Sequence, residues 1–336
     1  MIESVQFRNF KVLRNTTLPL GRFTLIVGPN GSGKSTALQA LQACSDAARL
    51  NFYSIATAGL RTAEPSSAVE LVLRWKEPNR TLIKTLSWSP EYGVRQQVVS
   101  AGGETDFDER SLNAKLAGIR IYSLDANAIA ARVHLQPSIQ LQQDGRELAG
   151  VLDRLRDEKP ERFEALNQEF GRWLPEFDRI LFDTPEVGAR VILLRTREGR
   201  HAIPAKDLSQ GTLLALAILT LAYIAPPPPI VCLEEPDRGI HPRLLREVQD
   251  AIYRLSFPEN FGERREPSQV VATTHSPYFL DLYREHPEEI VIAQKMGQEA
   301  WFERLVDRPD VDEILRDAHL GDMWYSGILG GVPSVP

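Results

Sequence analysis

The sequence predicts an α/β fold, and three observations carry the prediction. An apolar run at residues 23–27 feeds a glycine-rich turn and then a helix-length stretch at 34–48. Towards the other end, apolar runs at 230–234, 270–274 and 290–294 alternate with a helix-length stretch at 242–255. Two of these runs end in ionisable groups, Glu234-Glu235 and His275. Buried strands of a doubly wound sheet present such groups at their carboxyl edge, where that architecture binds its ligand.

Taken in order, alternation at 4–7 predicts a first strand and 23–27 a second, followed by the helix at 34–48. Three strand-like runs follow at 69–75, 81–88 and 94–100. Turn-forming residues at 77–80 and 89–93 separate them, so an antiparallel meander is the simplest arrangement. Residues 102–109 are polar and read as loop, and 119–124 as a strand. Two helices occupy 145–173, divided at Lys159-Pro160 with Pro160 in a first helical turn. The runs 187–197 and 201–204 form a hairpin about Glu198-Gly199. A buried helix at 213–225 then ends in a stiff connector, Pro226 to Pro229. The expected organisation is an N-terminal lobe with a β subdomain (1–100), an inserted helical lobe (101–204) and a C-terminal return to the first lobe (205–336).

Composition narrows the class. With 336 residues, 43% hydrophobic and 25% charged, the chain can bury a sizeable core and is not a disordered polymer. A net charge of -6 argues against an evenly basic nucleic-acid coat. Cys44 and Cys232 stand in apolar stretches and cannot build a disulfide framework or a zinc site. The amino terminus carries Glu3 and Arg8 where an export signal needs an apolar run. The longest apolar stretch, 213–225, falls short of the roughly 20 residues that span a bilayer. The expectation is a cytoplasmic protein without a membrane partner.

The strongest motif is Gly28-Pro29-Asn30-Gly31-Ser32-Gly33-Lys34-Ser35, a G-x-x-x-x-G-K-[ST] pattern followed by Thr36, with a strand before it and a helix after it. Its glycines let successive N–H groups turn inward on a phosphate at a positive helix end. Lys34 reaches the β and γ phosphates of such a ligand, and the Ser35 hydroxyl ligates Mg²⁺. A second helix start, Ser209-Gln210-Gly211, offers a hydroxyl, N–H groups and a dipole end just before the apolar helix. The acids Asp307, Asp310, Asp312 and Glu313 mark a helix start and are not read as a metal cluster.

In this order the elements resemble the ABC ATPases, specifically the non-transporter branch with RecF, the SMC proteins and the OLD-family nucleases. The resemblance implies an ABC ATPase head with ATP and Mg²⁺ as its ligands, and a homodimer with ATP sandwiched head to tail between two copies. By similarity Glu234 holds the Walker B place that supports the metal, standing where most of the superfamily has Asp. Glu235 is then the general base, Asp237 the D-loop residue, His275 the switch histidine, and Ser209 to Gly211 the signature that caps ATP held by the other copy. Arg8-Asn9-Phe10-Lys11 resembles the segment that approaches the nucleotide, which makes Lys11 a candidate ligand. The run from Glu234 to His241-Pro242 looks like the OLD-like subgroup, and His241 is equally readable as a helix cap. Asp125, Gln136 and Gln140 are the candidates for a Q-loop residue.

Too few residues follow His275 for the Toprim nuclease domain that OLD-family enzymes carry, so the expected role is an ATPase switch acting on a separate, nuclease-like effector encoded nearby, in genome defence or DNA maintenance. A RecF-like clamp that closes on DNA for recombinational repair is the alternative. The Leu208-to-Thr212 signature and the long insertion between Lys34 and Ser209 disfavour a transporter subunit.

Overall fold

The computed structural model describes residues 1–47, 50, 52–57, 68–77, 80–101, 109–317 and 319–330. In chain order they form β1 (Ile2–Phe10), β2 (Leu13–Pro19), β3 (Phe23–Val27), α1 (Lys34–Ser45), α2 (Phe52–Ile55), β4 (Val69–Glu77), β5 (Arg80–Ser89), β6 (Gly93–Ala101), α3 (Glu109–Ala117) and β7 (Ile119–Tyr122). There follow α4 (Ala126–Ala130), β8 (Val133–His134), α5 (Leu148–Glu158), α6 (Pro160–Trp173), β9 (Phe177–Asp183), β10 (Ala189–Thr196), β11 (Ala202–Pro204) and α7 (Gln210–Tyr223). The chain ends with β12 (Ile230–Glu234), α8 (Leu245–Ser256), β13 (Gln269–Thr274), α9 (Pro277–Asp281), β14 (Ile290–Met296), β15 (Glu299–Arg304), α10 (Val311–Asp317) and α11 (Leu320–Tyr325). None of these helices is long and apolar enough to cross a membrane.

The expected α/β class is the observed one, with local departures that have physical reasons. The first strand is longer than 4–7 and turns back at once into β2, where Leu13, Thr16 and Leu18 face inward between polar residues. The turn is sharp because Asn9 and Lys11 both adopt left-handed backbone, at φ 59 and φ 52. The expected meander is present as β4, β5 and β6, and it continues a sheet of order β2-β1-β4-β5-β6. The strand expected at 119–124 stops at Tyr122. Two residues on, the Asp125 carboxylate accepts from Ala128 N at 2.9 Å and starts α4 instead. The helix expected from 242 opens as a 3₁₀ turn, Pro242–Leu244, before α8. The loop expected at 102–109 lies almost wholly outside the described residues, as does Ala48 at the expected end of α1.

Two compact units emerge. The first comprises Met1–Ile121, Pro228–Cys232 and Glu266–Pro336. Its central sheet has the order β15-β14-β3-β13-β12-β7, with β3 parallel to both neighbours. The core lies where this sheet, α1 and the antiparallel sheet meet, around Phe7, Phe10, Leu41, Leu71, Trp88 and Val271, all at most 1% exposed. Trp88 hands its indole N–H to the Ala47 carbonyl at 3.0 Å, so no buried donor is lost. Gln269 is buried and fully used: its Oε1 accepts from Ile2 N, while its Nε2 donates to the carbonyls of Ile2 and Gly21.

The second unit comprises Tyr122–Pro227 and Leu233–Arg265. Its axis is α7, in which every residue from Thr212 to Tyr223 is buried, as a helix apolar on all sides requires. Helices α4, α6 and α8 pack on it, and the strands β9, β10 and β11 form an antiparallel sheet beside α5 and α6. An ion-pair network closes the unit: Arg254 reaches Glu169 at 3.0 Å and Glu263 at 2.6 Å, Arg265 also reaches Glu263 at 2.6 Å, and the Arg254 guanidinium lies 4.3 Å from the centre of the Tyr223 ring.

Candidate nucleotide site

In the first unit, β3 delivers the chain into the loop Gly28 to Ser35 and α1 carries it away. The loop fits only because its glycines lack side chains. A Cβ on Gly28 would collide with the Ala293 carbonyl oxygen and lie 2.6 Å from Ser32 Oγ; Gly31 and Gly33 have φ 76 and φ 95. Lys34 is buried and folds back over the loop, its Nζ donating to the carbonyls of Gly28 at 2.6 Å and Pro29 at 3.0 Å. Asn30, Gly31 and Ser35 are exposed, and Thr36 is half-buried. Among the described residues no side chain caps α1 at Gly33, so an anion is the acceptor that suits the N–H groups of its first turn. Ser32 Oγ is buried with no hydrogen-bond partner among the described residues, an orphan that a phosphate oxygen would satisfy. The donor set therefore fits a nucleotide phosphate chain.

His275 belongs to the same edge. Thr274, the last residue of β13, pairs with Val27, the last of β3, so Gly28 and His275 leave adjacent parallel strands side by side. Ser276 then caps α9 by accepting from Phe279 N at 3.3 Å, which fixes the backbone after the histidine. Lys11, in the β1–β2 turn, donates from Nζ to Gln39 Oε1 on α1 at 2.6 Å.

The second unit carries the remaining residues. Ser209 caps α7, its Oγ accepting from Thr212 N at 3.2 Å and lying 2.7 Å from Thr212 Oγ1. Ser209 and Gln210 are exposed, unlike the body of the helix. Gly211 is where the helix start meets the turn after Asp237: a Cβ there would lie 2.7 Å from the Gly239 carbonyl oxygen. Gly211 and the turn after Asp237 are thus brought together. Glu234 ends β12, and Glu235 follows in left-handed backbone, φ 48, an unfavourable state for a side chain with a Cβ and one that swings its carboxylate off the strand direction. Glu234 and Glu235 line a hollow of about 10 Å³ with Tyr122, Leu214, Leu233 and Arg238, space on the scale of one water molecule.

Arg238 is the residue that sequence reasoning missed. Its Nη2 donates to the Leu124 carbonyl at 3.1 Å, and its Nη1 lies 3.9 Å from Glu235 Oε2, so it ties the carboxylate to the end of β7's exit loop. Its position three residues after Glu235 was the available signal. His241 takes the capping role: its Nδ1 accepts from Arg243 N at 3.2 Å. Asp125 caps α4, and Asp310 forms a two-bonded pair with Arg308 that holds its carboxyl below the usual carboxylate range.

A glycine-rich phosphate loop, a carboxylate pair at a strand end and a capped signature helix together define an ABC-type ATPase head of the RecF, SMC and OLD-like branch. The chain belongs to the family described as "AAA domain, putative AbiEii toxin, Type IV TA system", whose model matches residues 106–281, more than half of the chain. A model of the AAA ATPase domain matches residues 1–72. The chain thus carries the AAA-type ATPase domain.

Among curated relatives it is similar to an OLD nuclease of Thermus scotoductus, 23% identical over 84% of this chain and 60% of that protein. It is also similar to the petrobactin import ATP-binding protein FpuD of Bacillus anthracis, 29% identical over 32% of this chain and 45% of that one. The chain thus spans less than two thirds of the length of either relative. Among solved structures, an SMC head bound to the C-terminal winged-helix domain of ScpA matches with TM-score 0.63 at 17% identity, covering 90% of this chain and 96% of the other. The SMC head domain from Thermotoga maritima matches with TM-score 0.51, also at 17% identity, covering 90% and 98%. At such identity these two speak for the fold.

Proposed function

We propose that the protein is an ATP-gated switch: two copies close head to tail on two ATP molecules, and closure controls a separate nuclease-like effector in genome defence or DNA maintenance in the cytoplasm. The observation that carries the reading is the start of α7, where Ser209 and Gln210 are exposed on a helix otherwise buried from Thr212 to Tyr223. An exposed hydroxyl at a helix start is what a γ phosphate from another copy requires. The similarity to an OLD nuclease favours a nuclease-like character for the effector.

Within this reading Lys34 and the loop N–H groups hold the β and γ phosphates, with Asn30, Gly31, Ser32, Gly33 and Thr36 shaping the cradle. Lys11 flanks it from the β1–β2 turn. Ser35 and Glu234 would hold Mg²⁺, which would supply charge neutralisation on the phosphates. Glu235 accepts a proton from the attacking water and aims it in line with the γ phosphate, held in place by Arg238. His275 senses the γ phosphate from the strand next to the loop, and Asp237 orders the turn against Gly211.

Complementation between two inactive variants tests the sandwich. Lys34→Ala loses the cradle and Ser209→Arg loses the signature, and a mixed dimer regains one site made of an intact cradle and an intact signature. ATPase activity should be absent from each variant alone and return on mixing. Activity in Ser209→Arg alone, or none in the mixture, contradicts the arrangement.

A further inference from the structure

The second unit holds an open groove of about 390 Å³, bounded by α6, the ends of α7 and α8, and residues 263–265. Four arginines line it, Arg162, Arg254, Arg264 and Arg265, against two carboxylates, Glu161 and Glu263. The whole chain carries a net charge of -6, so this stretch of surface has the opposite sign to the molecule around it. None of the nucleotide-site residues lies in it.

Two of the four guanidiniums are committed to the fold. Arg265 bonds Glu263 at 2.6 Å and closes the last turn of α8 by donating to the carbonyls of Arg254 and Leu255. Arg254 is held by Glu263 and Glu169 and lies over the Tyr223 ring, whose hydroxyl donates to Glu169. These contacts pin a charged floor in place. The other two guanidiniums are unspent. Arg162 lies 3.8 Å from Glu263, beyond hydrogen-bond reach, and that carboxylate is already shared by Arg254 and Arg265. Arg264 is exposed, and its side chain has no ion-pair or hydrogen-bond partner among the described residues.

We infer that this groove docks an acidic segment of a partner protein, with Arg162 and Arg264 each taking one of its carboxylates. A carboxylate matches the planar two-donor fork of a guanidinium. Because Arg254 and Arg265 are already pinned, their charge acts on the segment without further ordering. A nucleic-acid backbone suits the groove less well. Glu161 is exposed beside Arg162 and Glu263 stands in the lining, so a continuous line of phosphates would meet both, whereas separate carboxylates can be spaced around them. Docking here needs no nucleotide, and it therefore stands apart from the ATP-gated closure proposed above.

The test is fluorescence anisotropy of labelled hexaglutamate and of labelled oligothymidylate, each titrated with the full chain at low salt. Hexaglutamate should bind, and Arg162→Ala combined with Arg264→Ala should weaken it about tenfold, a loss that shrinks as salt screens the two guanidiniums. Arg264→Glu, a change at an exposed side chain, should weaken it about as far by itself. Arg246→Ala, at an exposed position on α8 outside the groove, should leave binding unchanged. Melting temperature and ATPase rate should stay at their wild-type values in the double variant, since neither arginine holds a side-chain hydrogen bond in the fold. Absence of hexaglutamate binding, wild-type affinity in the double variant, or an equal loss in Arg246→Ala overturns the docking site. Tighter binding of oligothymidylate that is lost in the double variant also overturns it and assigns the groove to nucleic acid.

Discussion

The Lys34 ammonium lies 2.6 Å from the Gly28 carbonyl oxygen, six residues back along the chain, so the loop's only lysine is already folded over the space its glycines enclose. Positive charge is thus prepaid in position, and a phosphate need only displace neutral carbonyl contacts to reach it.

Lys34→Ala should therefore abolish nucleotide binding while leaving the fold intact, because the Gly28 and Pro29 carbonyls that accept from its ammonium can be satisfied by water. Calorimetric titration with ATP checks it: an affinity equal to wild type removes the phosphate cradle from the account.

Glu235→Gln should keep nucleotide affinity and lose turnover by about 10²–10⁴-fold, the range for removing a positioned general base. Arg238→Ala, which frees the carboxylate from its tether to Leu124, should lower kcat about tenfold with KM little changed. Steady-state kinetics separate the two; a wild-type rate in Glu235→Gln would move the base elsewhere.

Gly28→Ala should destabilise the fold by about 1–3 kcal/mol, as overpacking does, because the added methyl meets the Ala293 backbone, which cannot rotate away. A lowered melting temperature together with lost ATP binding is expected. An unchanged melting temperature would mean that the loop is looser than its contacts indicate.

Acid sensitivity should track Glu263. Burial pushes its carboxyl up, but hydrogen bonds and charge from Arg265 and Arg254 outweigh that and hold it below 4.5. A depressed folded value gives stability that is present above the unfolded value and lost as pH falls through the folded one. Glu263→Gln should therefore be less stable than wild type at pH 7, with the difference closing below about pH 4.5. A gap that stays constant between pH 7 and pH 3 contradicts the assignment.

Much of this was legible in the sequence where chemistry demands residues at fixed spacing. The loop Gly28 to Ser35, the strand Ile230–Glu234 and the split of two helices at Pro160 all stand where they were expected. What escaped was decided by distant partners. The strands β2, β9 and β15 mix polar residues into their buried faces, as in Arg14-Asn15-Thr16 and Glu299-Ala300-Trp301, and only pairing with β1, β10 and β14 makes them strands. Arg238 is an ordinary surface arginine by sequence; its meaning comes from a carbonyl at Leu124, on an earlier part of the chain.

The central claim is that ATP, and not ADP, joins two copies. In that arrangement the signature contacts would contribute about 2 kcal/mol per hydrogen bond to a charged phosphate and would disappear with the γ phosphate. The direct measurement is the mass of Glu235→Gln by light scattering with ATP, with ADP and with no nucleotide, repeated with Ser209→Arg added. The account predicts a dimer with ATP alone, reverting to monomer when Ser209→Arg is present. The same mass in every sample would show that assembly does not follow the nucleotide and would contradict the switch.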